Sequence, residues 1–284
     1  WYQPCLLDLQ RNYDLTLLPE LGRSKRDGLN TYFSTIQEFA AADISTLTQG
    51  KKTSIPGLGP RTLHKLYARA QLVSAGDQGH PYLREPISLP TENSEIFFDI
   101  EVDPLRDHTY LHGFIERQHQ DNSTEQFVAF FADAPTAESE QEAFAQSMEY
   151  LRQHPDSKVY YYSKYERTMY RKLQAKYPDV CSAEDIETLF KPERAIDLYF
   201  DVVLKATEWP TRDYSIKTLA KYLGFIWRDT HPSGAASIEW FHRWVESGDV
   251  EIKQRILDYN EDDCRATRVL LDGIRQLPLR TTIA

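Results

Sequence analysis

Cysteine is scarce: Cys5, Cys181 and Cys264 are the three in 284 residues, and no two share a paired spacing. That is too few and too scattered for a disulfide framework, which leaves a reducing cytoplasm as the expected compartment. No apolar run approaches the roughly 20 residues of a spanning helix, and the opening residues carry no signal-peptide pattern, so no membrane partner is expected. The first residue is Trp1 rather than a methionine, so the chain is expected to be a piece of a longer protein. Positive charge is also short. The 33 Lys and Arg face 43 Asp and Glu, a net charge of −10, whereas a general nucleic-acid coat is basic. The deficit is uneven: residues 1–93 carry 10 basic against 9 acidic side chains (net +1), and residues 94–284 carry 23 against 34 (net −11). An acidic module handles a polyanion only where bound cations neutralise some carboxylates, so the positions of the acids matter more than their number. Repeats, low-complexity tracts, a serine-centred nucleophile elbow and a phosphate-cradling glycine loop are all lacking. What remains is 41% hydrophobic, 27% charged and 12% aromatic, the make-up of an ordinary folded chain, with length for one large or two modest domains.

The first part reads as helices joined by short loops. Ile36–Leu47 has a helical pattern, Gln49–Ser54 breaks it, and Ile55-Pro-Gly-Leu-Gly-Pro-Arg-Thr-Leu63 leads into a second helix through Leu72. Two glycines flanking one apolar residue suit a tight hairpin, and Pro60 is tolerated in the first turn of the helix that follows. Backbone amides around Gly57 and Gly59 suit a phosphate, with Arg61 and Lys65 the basic residues nearby; a plain helical hairpin gives the same pattern. Gly76–Asn93 is rich in Gly, Pro and polar residues, and the domain boundary is set there: 1–93 helical, 94–284 a second domain. Beyond it the pattern alternates. Glu95–Val102, Tyr110–Arg117 and Gln126–Phe131 are expected strands, Glu138–Gln153 an amphipathic helix, Lys158–Tyr162 a fourth strand and Tyr165–Tyr177 a helix. Ile196–Leu204, Ile216–Leu223, Ser237–Glu246 and Val250–Ile274 read as helices. The fold class is α/β, a mixed sheet flanked by helices behind a small all-α region.

The acids fall in unexpected places. In the first strand Ile96, Phe98, Ile100 and Val102 share one side and Phe97, Asp99 and Glu101 the other. The strand is apolar enough to be central, yet two acids stand side by side on one face. Such neighbours call for water or a counter-charge. In the last helix Ile252, Ile256, Tyr259, Asp263, Ala266 and Leu270 form a stripe of helical period, which sets Asp263 inside it. Glu261 and Asp262 fall off the stripe beside Arg265 and Arg268 and read as solvated acids. An aspartate facing a core takes either an arginine or a cation. Glu166 falls in the first turn after the fourth strand, where the helix dipole favours it in any case, and Asp197 reads as a helix cap. Taken together, a paired acid on strand one, an acid after strand four and an acid on a late helix suit hard divalent cations, Mg²⁺ or Mn²⁺. Two such ions about 4 Å apart serve phosphodiester hydrolysis. Crowded acids without a cation are expected to have raised pKa values, with activity failing at low pH.

FFDIEVDP, VYYYSKYE and SIEWFHRW…LDYNEDDCRAT resemble the three motifs of RNase H-like, DnaQ-type 3′–5′ exonucleases of the DEDD group, over about residues 94–277. The nearest subgroup is the domain that follows a RecB-like (Cas4-like) iron–sulfur nuclease in bacterial proteins. Trp1-Tyr-Gln-Pro-Cys5 is similar to the end of that upstream domain, which implies Cys5 as an orphaned cluster ligand. The IPGLG segment suits the helix–hairpin–helix-like linker of the same family. The resemblance implies a two-metal exonuclease acting on single-stranded DNA or RNA ends. It implies Asp99 and Glu101 as the first acid pair, and Asp263 with Tyr259 as the tyrosine–x–x–x–aspartate motif in which the tyrosine orients or deprotonates the attacking water. Glu166 stands where the second motif has aspartate, a departure that puts activity in question. Tyr214-Ser-Ile-Lys-Thr-Leu is similar to the helix before the last motif, with Lys217 a candidate phosphate contact. A catalytically weak or inactive nucleic-acid-binding or docking module is the alternative.

Overall fold

The computed structural model describes residues 2–280, so Trp1 of the Cys5-containing segment lies outside the described residues. The chain divides into two compact units: Trp1–Pro86 with Ala206–Tyr222 and Leu277–Ala284, and Ile87–Lys205 with Leu223–Gln276. A division at residue 93 misses the return of 206–222 and of the C-terminal segment to the first unit. The reason is a buried ion pair. Arg69 and Glu208, both essentially inaccessible, bond at 2.7 Å, and the Tyr214 hydroxyl donates to the same carboxylate at 2.7 Å. Removing one partner would strand the other charge in the core, so 206–222 is held to the helix bearing Arg69. Tyr82–Leu83 also pairs antiparallel with Thr207–Glu208, and the Leu83 amide donates to the Pro278 carbonyl at 2.8 Å.

The first unit contains α1 (Tyr2–Arg11), α2 (Arg23–Leu29), α3 (Ile36–Ala41) and α4 (Pro60–Ser74). α3 is shorter than its pattern suggests. Ala42 is extended, and Asp43 starts a separate 3₁₀ turn, Ile44–Leu47, by accepting from the Ser45 amide, a local competition typical of aspartate. Leu29, Ile36, Phe39, Ile55, Leu63 and Leu66 build this unit's core.

The second unit is built on a five-stranded sheet. Its strands are β1 (Ser94–Asp103), β2 (His108–Gln118), β3 (Asp121–Phe131), β4 (Lys158–Tyr161) and β5 (Ala195–Asp197), in the order β3-β2-β1-β4-β5. β1–β2 and β2–β3 are antiparallel hairpins; β1–β4 and β4–β5 are parallel. Helices α5 (Ala137–Gln153), α6 (Tyr165–Lys176) and α7 (Ala183–Leu189) follow in the chain. α8 (Ile216–Tyr222) belongs to the first unit, and α9 (Gly234–Ser247) and α10 (Val250–Arg275) complete the second. β1 alternates as its sequence demands: Ile96, Phe98, Ile100 and Val102 join Phe144, Met148 and Leu173 in one core. α10 packs on the opposite face, where its stripe from Ile256 to Leu270 is buried. Its last turn is anchored by Arg117, which bonds Glu95 at 2.5 Å and Asp272 at 2.7 Å, and by Arg275 on Glu95 at 2.5 Å.

Two readings of this unit need correction. Ile196–Leu204 is not one helix: Ile196 pairs with Tyr160 in β5, and a π-helical turn, Leu198–Val203, follows. Pairing with β4 outweighs the local pattern, as it often does for short segments. Asp262 is not solvated either. It is 4% exposed and accepts from the Arg228 backbone amide at 2.7 Å and its Nε at 2.9 Å.

A candidate metal centre on the central strand

Asp99 and Glu101 sit side by side on the α10 face of β1, and α10 brings Asp263 down onto them. One carboxylate oxygen from each lies within 4.8 Å of the others. Glu101 and Asp263 are buried and Asp99 is half-buried. Three converging carboxylates in so small a space are an unfavourable arrangement by themselves and a hard-oxygen donor set of the kind divalent cations take. The residues therefore fit the metal that the sequence implies, and Asp99, Glu101 and Asp263 are the side chains that would hold it.

Each acid is oriented from behind. Trp227 Nε1 donates to Asp263 Oδ1 at 2.7 Å, so Asp263 is bonded to an indole. Asn260 Nδ2 donates to Asp99 Oδ2 at 2.8 Å. The Tyr110 hydroxyl reaches Glu101 Oε2 at 3.4 Å and Ser237 Oγ at 2.7 Å. The approach of α10 depends on Gly113, the register partner of Asp99 on β2. A Cβ there would lie 1.6 Å from Asn260 Oδ1, and Cys264 Sγ sits 3.3 Å from the Gly113 carbonyl oxygen. Trp227 and Tyr110 lie in no motif, and Ser237 and Asn260 fall within the third one without a role assigned to them. Gly113 does carry a signal, because an isolated glycine in an apolar strand marks close approach of another element.

Tyr259 is buried one turn before Asp263 and bonds to its carboxylate. Burial, then the charges of Asp263, Glu101 and Asp99, push its phenol far above the ordinary tyrosine range.

Glu166 stands apart from the group of three. It is buried at the start of α6, and its Oε2 has no hydrogen-bond partner among the described residues. Burial, helped by the Asp197 charge, raises its pKa well above the ordinary carboxylate value. Asp197 does act as a cap: its Oδ1 accepts from the Tyr199 and Phe200 amides, each at 3.0 Å. His112 offers no metal site; burial lowers its pKa to about 3, and Nδ1 lies 3.1 Å from the Tyr170 hydroxyl.

The expected phosphate-contacting residues lie in the other unit. Gly57 has φ +74°, a conformation glycine adopts freely, and Gly59 is the N-cap of α4 without a side-chain cap. This hairpin, with Lys51 and Lys52, lines a cavity of about 370 Å³. Arg61 is exposed. Lys65 is half-buried near Arg69 and Arg84, and desolvation and those charges lower its pKa to about 8. Lys217 falls on α8, in the first unit. Cys5 is an exposed free thiol, and no described helix is long and apolar enough to cross a membrane.

Comparison with known proteins places this geometry in a family. The family model described as the RNase_H superfamily matches residues 96–274, the span that carries the sheet, the three carboxylates and Tyr259. No curated protein and no solved structure matches the chain. Sheet order, acid placement and family match agree: the chain belongs to the RNase H superfamily.

Proposed function

We propose that this protein is a divalent-metal-dependent nuclease that removes nucleotides from single-stranded DNA or RNA ends in the 3′–5′ direction, in the manner of the tyrosine form of the DEDD exonucleases. The observation that carries the reading is the convergence of Asp99, Glu101 and Asp263 beside a buried Tyr259. Bound there, Mg²⁺ or Mn²⁺ supplies Lewis-acid polarisation of a phosphoryl oxygen and an acidified water. The protein's own part is positional. Trp227 and Asn260 fix two of the carboxylates, and the Tyr259 hydroxyl orients the attacking water. Gly57, Gly59, Arg61, Lys65 and Lys217 are proposed phosphate contacts of the first unit. An upstream RecB-like domain with an iron–sulfur cluster completed by Cys5 belongs to the same proposal for the longer protein.

One observation favours a second reading. Glu166, in the place of the second-motif aspartate, lies outside the group of three carboxylates, which suits a weak or inactive nucleic-acid-binding module. The two readings separate when the purified chain meets 5′-labelled DNA and RNA oligonucleotides with Mg²⁺ or Mn²⁺. Stepwise shortening is expected. Because residues behind a metal ligand alone cost roughly 10–100-fold when lost, Asp99→Ala should reduce the rate by more than about 100-fold. Intact oligonucleotides after prolonged incubation would leave the binding module as the reading.

A further inference from the structure

The strand ends next to the carboxylates carry a set of aromatic rings that the mechanism does not use. β1 and β4 run parallel with Phe97 opposite Tyr160, so Tyr162, just past the C-terminal end of β4, comes level with Asp99 inside β1. β4 and β5 are also parallel, with Tyr161 opposite Asp197, which brings Tyr199 and Phe200 to that end. Tyr162 and Tyr199 have ring centroids 5.4 Å apart, Tyr199 and Phe200 4.8 Å apart at 82°. Lys164 Nζ sits 4.2 Å from the centroid of the Phe200 ring. Tyr165 follows, 46% exposed, and feels the charges of Glu101, Glu166 and Asp99. Tyr160 and Tyr161 of the same strand are buried, whereas Tyr162, Tyr199 and Phe200 are partly exposed and Lys164 is exposed.

Two backbone departures hold these rings in place. Ser163 has φ +93°, a region a non-glycine residue enters at a cost, and residues Leu198–Val203 form a π-helical turn, a rare element concentrated at functional sites. Asp197 Oδ1 ties both together, since it accepts from the amides of Ser163, Tyr199 and Phe200, all at 3.0 Å. A buried carboxylate thus fixes the β4–α6 junction against the turn after β5.

We infer that Tyr162, Tyr165, Tyr199 and Phe200 form a stacking platform for the bases of a single strand whose end lies at the carboxylate group, with Lys164 against a phosphate. The inference rests on the nuclease reading for the direction of the strand, and it names the substrate form: unpaired bases, since a duplex hides the ring faces that stack. Chemistry favours this occupant. The domain is strongly acidic, so phosphate attraction is weak, and stacking supplies affinity that any base can use.

The test measures binding with metal chelated, so turnover plays no part. Fluorescein-labelled DNA and RNA 12-mers, the same strands with abasic sites, and a duplex are titrated with the intact chain by anisotropy; the DNA and RNA arms tell which strand is preferred. Single strands should bind better than duplex. Stacking is worth about 1–3 kcal/mol per base, roughly 5–150-fold, so Tyr165→Ala and Tyr199→Ala should weaken binding by that factor. Tyr199→Phe should retain affinity, and abasic strands should bind wild type weakly while losing little more on the alanine variants. Lys164→Gln should lower the salt slope by about 0.7. Tyr165 is exposed, so its removal tests the platform without disturbing the packing around Tyr199. Equal affinity of the Tyr165→Ala variant and wild type, or of abasic and normal strands, overturns the inference. If wild type shortens oligonucleotides while these affinities do not change, the platform fails and the nuclease stands; ring-dependent binding without cleavage gives the reverse.

Discussion

Trp227 and Asn260 contribute no charge to the carboxylate group, yet each fixes the direction of an acid that does. An indole N–H on Asp263 Oδ1 at 2.7 Å restrains the carboxylate that converges with Asp99 and Glu101. Hydrogen bonds to a charged group are worth about 1.5–3 kcal/mol, and partners behind metal ligands typically change metal affinity 10–100-fold. Trp227→Phe keeps the aromatic packing and removes the donor. Mn²⁺ binding by calorimetry should weaken by about 10-fold or more, and an unchanged Kd would show that the indole merely fills space. Tyr259 and Asp263 were legible in the sequence because they share a helical stripe. Trp227 was not, since it lies 36 residues from its partner in a segment with no periodic signal.

α10 carries the chemistry of the site only because β2 lets it come close. Gly113 and Asn260 occupy the same small space: a Cβ would lie 1.6 Å from Asn260 Oδ1 and 2.8 Å from its Cγ, so the Asn260 side chain would have to move. Overpacking a tight contact costs about 1–3 kcal/mol, so Gly113→Ala should lower the melting temperature. It should also weaken metal binding, because the displaced Asn260 no longer holds Asp99. Full metal affinity in a folded Gly113→Ala variant would separate the strand–helix contact from the site. Among the elements, β1 and α10 were readable from their alternation and stripe. β5 was not, for three residues followed by a π-helical turn resemble a helix until β4 supplies a pairing partner.

The sheet unit as a whole carries a pH dependence in its core. His112 is fully buried, with a pKa lowered by desolvation to about 3, below the ordinary 6.5. Below pH 6.5 the unfolded chain binds a proton that the folded one refuses, so stability is complete above pH 6.5 and falls as pH drops toward 3. The slope from this group approaches 1.4 kcal/mol per pH unit. His112→Asn should flatten the difference in melting temperature between pH 6.5 and 4 relative to wild type. Parallel profiles for the two proteins would place the acid sensitivity elsewhere.

Local periodicity was enough to assign the sheet-and-helix class, the face of β1 that bears Asp99 and Glu101, and the turn of α10 that bears Tyr259 and Asp263, because two- and near-four-residue repeats are written in neighbouring positions. Contacts across long separations were not available to it. The Asn260–Asp99 bond joins residues 161 apart and the Cys264–Gly113 contact residues 151 apart, and the burial of Asp262 depends on Arg228. The return of 206–222 to the first unit depends on Arg69 meeting Glu208, 139 residues away. Burial and ion pairing act between surfaces that exist only once the chain has folded, which is why the acids could be named in advance and their supporting bonds could not.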